Sequence, residues 1–247
     1  MGISLLGPLR VDGGHLLEPR DRIALSVLAV RRGLAVSPGL LADALWGDVP
    51  PSSWPKQVQI CVSRLRKVLG SSAIETGPGG YRLVMAGDDV DIHRFERLIA
   101  WGRARRAAGN ARLAATAYGR ALSLWRGYPL EELDAWAPAR NEAARLEELR
   151  RTAEEEFLEA RLAAGEHAEA VGDAAVLVAD EPCRERRWAL LVLAEYRCGR
   201  QVEALRTLAR ARQALAEEAG ITPGPDLARL EAAVRRQDDT LLHPDDR

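Results

Sequence analysis

A 34-residue period constrains this chain more than any other feature of its sequence. Ala160, Gly165, Glu169 and Ala170 recur at that offset as Ala194, Gly199, Glu203 and Ala204. An earlier copy, Gly102, Ala104, Gly109, Ala114 and Ala121, keeps the same internal spacing. Small residues at these steps let paired helices approach closely, and the glycine turns one helix into the next, the pattern of tetratricopeptide-like repeats. A single unit of this kind cannot bury its own apolar face, so the units must stack. The first and second copies lie 56 residues apart, which is 34 plus an insertion of 22; that insertion contains Trp136 and Pro138 and leads into a long helix reaching about Ala164. A last helix, about Pro225–Arg236, is expected to cap the stack.

The period does not extend to the N-terminal part, and there composition decides. Residues 1–92 hold 12 of the 21 glycines and 7 of the 13 prolines, whereas the remainder is rich in the good helix formers Ala, Leu, Arg and Glu. The expected fold is therefore mainly α. An N-terminal α+β domain, whose element order is that of a winged helix-turn-helix, occupies 1–92, an all-α tetratricopeptide-like repeat domain occupies 93–237, and 238–247 is a polar tail or the start of a linker. The acidic Asp88, Asp89 and Asp91 mark the seam, and they read as a solvated linker because no other ligand cluster accompanies them.

Within 1–92 the element order is strands, three helices, hairpin. Ile3–Val11 reads as an edge strand broken at Gly7-Pro8, with His15–Leu17 returning beside it after Gly13-Gly14. A helix from Pro19 ends near Gly33. Ser37 caps a second helix, with Pro38 in its first turn, that stops at Gly47. A third runs from about Trp54 to Leu69. Ile74–Thr76 and Tyr81–Met85 flank a Gly77-Pro78-Gly79-Gly80 turn and form a hairpin.

The third helix carries the functional signal. Val58, Cys61, Val62, Leu65, Val68 and Leu69 form one apolar stripe at helical period. The rest of its surface has four positive charges, and no Asp or Glu occurs between Asp48 and Glu75 in a chain whose formal net charge is −1. Both lysines of the chain, Lys56 and Lys67, fall on this helix. A major groove admits a helix, and Gln, Ser, Arg and Lys read base edges or grip phosphates. Lys56, Gln59 and Ser63 are expected to contact bases, Ile60 to meet a thymine methyl, and Arg64, Arg66 and Lys67 to contact phosphate. Trp54 and Gln57 at the helix start, and Tyr81 and Arg82 on the hairpin, complete the expected interface. Taken alone, a basic amphipathic helix is most often a solvated face; the preceding helix and following glycine-rich hairpin shift the balance toward DNA.

Other classes drop out. No apolar run approaches the roughly 20 residues of a membrane helix. The N-terminus has neither a signal-peptide pattern nor the Ser/Thr that N-myristoylation requires. Cys61, Cys183 and Cys198 form no CxxC pair and read as buried free thiols in a reducing cytosol. GxxxxGK[ST], HExxH and GxSxG are absent and His15, His93, His167 and His243 are scattered, so no enzyme, cofactor or metal site is expected. Trp101, Trp125 and Trp188 read as core.

These residues resemble a known family. "ADALWGDVPPSSWPKQVQICVSRLRKVLG" followed by "IETGPGGYRL" is similar to the DNA-binding region of the Streptomyces antibiotic regulatory proteins. "VDIHRFERL", the Ala-rich repeats and "EEAGITPGPDLARLEAAV" resemble their bacterial transcriptional activation domain. The resemblance implies an OmpR-like winged helix fused to three tetratricopeptide-like repeats, in a transcriptional activator of a secondary-metabolite (antibiotic) gene cluster in actinobacteria. Such an activator would bind tandem direct repeats in double-stranded DNA as a dimer, recruit RNA polymerase holoenzyme, and work in the cytoplasm at the nucleoid, away from any membrane. It also implies that the loop Gly47, Asp48, Val49, Pro50, Pro51, Ser52 and Ser53 faces polymerase. Two alternatives stand beside it: the N-terminal part of a larger ATPase-type regulator, and a tetratricopeptide protein-binding scaffold.

Overall fold

The computed structural model describes residues 2–85 and 89–242. The chain is mainly helical. Its elements are β1 (Ile3–Ser4), β2 (Arg10–Val11), α1 (Pro19–Val30), α2 (Pro38–Trp46), α3 (Trp54–Leu69), β3 (Ile74–Gly77), β4 (Gly80–Leu83), α4 (Asp91–Ala107), α5 (Ala111–Leu122), α6 (Ala137–Ala163), α7 (His167–Asp180), α8 (Glu185–Arg197), α9 (Gln201–Ala219) and α10 (Pro225–Arg236), with 3-10 turns at Glu131–Leu133 and Asp239–Leu241. They form two compact units: residues up to Trp101 with Gly119–Arg151, and Gly102–Tyr118 with the residues from Thr152 onward. This division does not follow the composition break at residue 92.

In the first unit, α1, α2 and α3 pack on one another. Pro at the start of each helix fits a position whose N–H has no partner anyway. Ser37 caps α2 by accepting from Leu40 N at 3.1 Å. The hairpin β3–β4 is antiparallel, and its second strand also pairs with Val36 through Tyr81.

The N-terminal strand differs from expectation. β1 pairs with β2 inside the Ile3–Val11 segment, and His15–Leu17 forms no strand, leaving Leu16 99% exposed. The cause lies in where the backbone groups between the two strands are used. The Asp91 carboxylate accepts from Leu5 N at 2.7 Å and Leu6 N at 3.0 Å. The Leu5 and Leu6 carbonyls accept from Leu130 N and Arg126 N at 2.9 and 2.7 Å, and Glu132 Oε1 accepts from Leu9 N at 2.8 Å. With those groups consumed, Leu5, Leu6 and Leu9 offer no ladder to His15–Leu17, and the further pairing of β1 is a parallel bridge from Ile3 to Val90. Asp91 is thereby buried, not a solvated linker residue, and burial raises its pKa above the usual carboxylate range. Of its acidic neighbours, Asp88 lies outside the described residues.

Three aromatic residues of the repeat region diverge. Trp188 is buried, and Trp125 is half-buried edge-on to Phe95, their ring centroids 5.3 Å apart. Trp101 is 38% exposed, against expectation, because it lies opposite the Ile92, Phe95 and Ile99 face that α4 buries.

In the second unit, α7 packs on α8, α8 on α9, and α10 on both α8 and α9. Gly109, Gly165 and Gly199 each adopt positive φ, between 73° and 83°, at the end of a helix. The residue after each glycine donates its N–H to the carbonyl five positions earlier: Asn110 to Arg105, Glu166 to Arg161, and Arg200 to Glu195. Each glycine also donates to the carbonyl three positions earlier, so all three turns are Schellman motifs. The 34-residue period is thus a period in backbone hydrogen bonding as well as in composition. Ala160 and Ala194, and Ala170 and Ala204, are all fully buried, whereas Ala104 of the first copy is exposed. Gly102 makes room for the Tyr118 ring, since a Cβ there would lie 2.9 Å from it.

Residues 238–242 are not a loose tail. Arg197 Nε donates to Leu241 O at 2.8 Å, and Asp238 caps the turn that follows it. Cysteine burial is mixed: Cys61 is buried as expected, Cys198 is intermediate and Cys183 is exposed.

Candidate nucleic-acid interface

α3 buries Val58, Cys61, Val62 and Leu65 and half-buries Val68 and Leu69, so the predicted stripe faces inward. Lys56, Gln59, Ile60, Ser63 and Lys67 are exposed. Their spacing of three or four residues aligns them along one outer strip of the helix. The strip carries no acid.

Arg64 and Arg66 flank this strip on its two sides, and both have partners inside the protein. Arg64 grips Asp21 side-on, with Nε 2.8 Å from Oδ2 and Nη2 3.1 Å from Oδ1. The Asp21 side chain, in the first turn of α1, is 3% exposed, while that of Arg64 remains 45% exposed. This hydrogen bond raises the Arg64 pKa. The Cys61 thiol lies against the same pair; burial, and next the neighbouring Asp21, push its pKa up to about 11. Cys61 is therefore an uncharged packing group. Arg66 donates from Nε and Nη2 to Ile74 O at 2.8 and 2.7 Å, and from Nη2 to Thr76 Oγ1 at 2.8 Å, fastening β3 to α3.

Two of the expected contact residues have their side chains engaged or buried within the protein. Gln57 is half-buried with its amide engaged at both ends: Oε1 accepts from Arg20 Nη1 at 2.9 Å and Nε2 donates to Ser53 Oγ at 3.0 Å. It braces the start of α3 and is not displayed for a base. Tyr81 is buried, because alternation along β4 sends Tyr81 and Leu83 inward and Arg82 outward. Arg82 is exposed and ion-paired across the hairpin with Glu75. Trp54 is half-buried.

The glycines of the hairpin serve packing at one position above all. Gly80 has φ +112°, and a Cβ there would fall 2.1 Å from Val36 O. The loop Gly47–Ser53 is exposed apart from half-buried Pro51, and Val49 within it is 83% exposed. Trp54 N donates to Pro51 O at 2.9 Å and closes the loop onto α3.

Sequence reasoning missed Asp21, Arg20 and Thr76. Asp21 lies 43 residues from Arg64, and nothing in local spacing links them. Among the described residues, no cluster of three or more His, Cys, Asp or Glu side chains is arranged to hold a metal, and no helix is long and apolar enough to cross a membrane.

Comparison with known proteins gives consistent results. Residues 90–235 match the model of the bacterial transcriptional activator domain. The chain is 39% identical to the regulatory protein AfsR of Streptomyces griseus, across 98% of its own length and 25% of that protein. It is 36% identical to the transcriptional regulator RedD of Streptomyces coelicolor, across 98% of its length and 72% of RedD. The chain thus spans about a quarter of AfsR and most of RedD. A solved structure of Mycobacterium tuberculosis EmbR, in complex with a low-affinity phosphopeptide, superposes with a TM-score of 0.87 at 32% identity, covering 96% of this chain and 65% of EmbR.

Proposed function

We propose, from the premise that the chain belongs to the Streptomyces antibiotic regulatory protein family, that it is a DNA-binding transcriptional activator of a secondary-metabolite gene cluster. On this reading residues 1–92 act as a winged helix-turn-helix with α3 as its recognition helix and β3–β4 as its wing. Residues 93–237 form the activation domain, built from three tetratricopeptide-like repeats, and 238–247 are a polar tail or the start of a linker. The protein binds tandem direct repeats as a dimer and recruits RNA polymerase, with the exposed Gly47–Ser53 loop turned to the polymerase.

The observation that carries the reading is the outer strip of α3. Lys56, Gln59, Ile60, Ser63 and Lys67 are exposed together on a helix without acids, and that helix is held from behind by α1 and α2. Gln and Ser discriminate base edges, Ile60 offers an apolar contact to thymine, and the two lysines attract phosphate. Arg82 adds a cation on the hairpin.

A footprint of the purified protein on the promoters of its own gene cluster tests this. Protection of paired direct repeats is expected, with affinity falling steeply as salt rises. Gln59→Ala should change which sequence is preferred, and Lys67→Ala should weaken binding to all sequences and reduce the salt slope by about 1. Absence of sequence-preferring binding refutes the reading and favours a protein-binding scaffold.

A further inference from the structure

Arg64 has a geometry that a solvated arginine does not have. One edge of its guanidinium is fixed: Nε and Nη2 face the Asp21 carboxylate at 2.8 and 3.1 Å. A guanidinium carries five N–H donors in one plane. Nε–H and one Nη2–H are engaged by Asp21, and Nη2 also meets Cys61 Sγ at 4.0 Å, which leaves the Nη1 donors for a further partner. The arginine is nearly half exposed, while its partner is almost completely buried. Asp21 is itself fixed in the first turn of α1, where a carboxylate is favoured by the helix N-terminus. The side chain of Arg64 is therefore immobilised at its base and open at its tip.

Its place on α3 gives that tip a use. Arg64 borders the Lys56–Lys67 strip on the side of Ile60, four residues before it. A helix lying in the major groove meets base edges along its centre and phosphates along its margins. A long flexible side chain at the margin loses rotamer freedom on binding a phosphate, and a side chain already held in one rotamer does not.

We infer that Asp21 is a positioning residue for DNA binding: it holds Arg64 so that the free edge of the guanidinium is presented to a backbone phosphate at the margin of the recognition helix. The inference rests on the reading of α3 as a recognition helix. It reconciles the two roles of Arg64, because one planar fork serves the buried carboxylate and the phosphate at once. Lysine cannot do this, since an ammonium is a point donor without a fixed second edge.

The test uses the full chain and a duplex that it has selected from a random-sequence pool. Arg64→Lys keeps a cation for Asp21, so the melting temperature should stay close to wild type. Affinity for the selected duplex should nonetheless fall about tenfold, and the salt slope should drop by about 1, as for one lost phosphate contact. Asp21→Asn should reproduce the loss of affinity, and on an Arg64→Ala background it should add nothing further. Wild-type affinity and salt slope in Arg64→Lys would overturn the inference. So would losses from Asp21→Asn and Arg64→Ala that simply add. A wild-type chain that selects no duplex would remove the recognition-helix reading, and this inference with it. Selection of a duplex whose binding depends on Gln59 and Lys67 but not on Arg64 or Asp21 would remove only the inference.

Discussion

Leu5 donates its backbone N–H to the Asp91 carboxylate at 2.7 Å, across 86 residues of sequence. With Leu6 donating to the other oxygen, one side chain at the head of α4 satisfies two consecutive buried amides. Asp91→Ala leaves both amides unpaired, and an unfolding free-energy loss of about 2–4 kcal/mol is expected. Asp91→Asn should recover only part of that loss, because its amide nitrogen would turn a donor toward one of the two N–H groups. Chemical denaturation of the three proteins measures the order.

Gly80 is the tightest point of the hairpin. Any Cβ there collides with the Val36 carbonyl at 2.1 Å, and the φ of +112° already excludes most side chains. Since the obstacle is backbone and cannot rotate away, Gly80→Ala is expected to cost about 3 kcal/mol or more and to loosen Tyr81 from Val36. Hydrogen exchange at the Tyr81 and Val36 amides, which bond each other's carbonyls at 2.9 and 2.7 Å, reads the loss directly.

Arg187 is fully buried on α8 and is met by Glu154 at 2.9 Å, the Leu177 carbonyl at 2.9 Å and Glu155 at 3.7 Å. Glu155 is itself buried, and Arg184 also pairs with it at 2.8 Å. Removing the central cation strands carboxylates in a medium that solvates them poorly. Arg187→Ala should therefore destabilise the second unit by about 3–5 kcal/mol. The Arg229–Asp226 pair is a useful contrast: with side chains 73% and 89% exposed, its removal should leave the melting temperature unchanged.

Acid should weaken the first unit through His93. Burial is the main reason its pKa is lowered, the nearby Arg32 adds to this, and Glu96 and Glu142 oppose it. A histidine held below its ordinary value folds in the neutral form. The stability it contributes is present above about pH 6.5, the unfolded value, and is lost as pH falls through the lower folded value. Asp91, with its pKa raised by burial, has the opposite sign: its contribution is full below the ordinary carboxylate value and is lost as pH rises through the folded value. Thermal melts between pH 7.5 and about pH 5 should show a falling midpoint, and His93→Gln should flatten that slope.

Much of the local structure is legible in the sequence. Pro38 after Ser37, Pro55 at the head of α3 and the Gly109, Gly165 and Gly199 turns are local devices, and local rules find them. The inward face of α3 follows from spacing alone. The placement of Tyr81 and Gln57 is not legible in the sequence. Whether a side chain is displayed depends on strand register for Tyr81, and for Gln57 on Arg20 arriving from another helix. Neither can be inferred from the residue types alone.

The sequence by itself determined the helical composition of the chain, the stacking period of its repeats and the position of the acid-free basic helix that carries both lysines. Those properties depend on residues within a few turns of one another. Only the tertiary structure decided that Asp91 closes the N-terminal strand and is not part of a solvated linker. It alone decided that Asp21 holds Arg64 and that the compact units cut across the composition break. For Asp91 and Asp21 alike, a buried polar group must find a partner. That partner is chosen by proximity in the folded chain, not by distance along it.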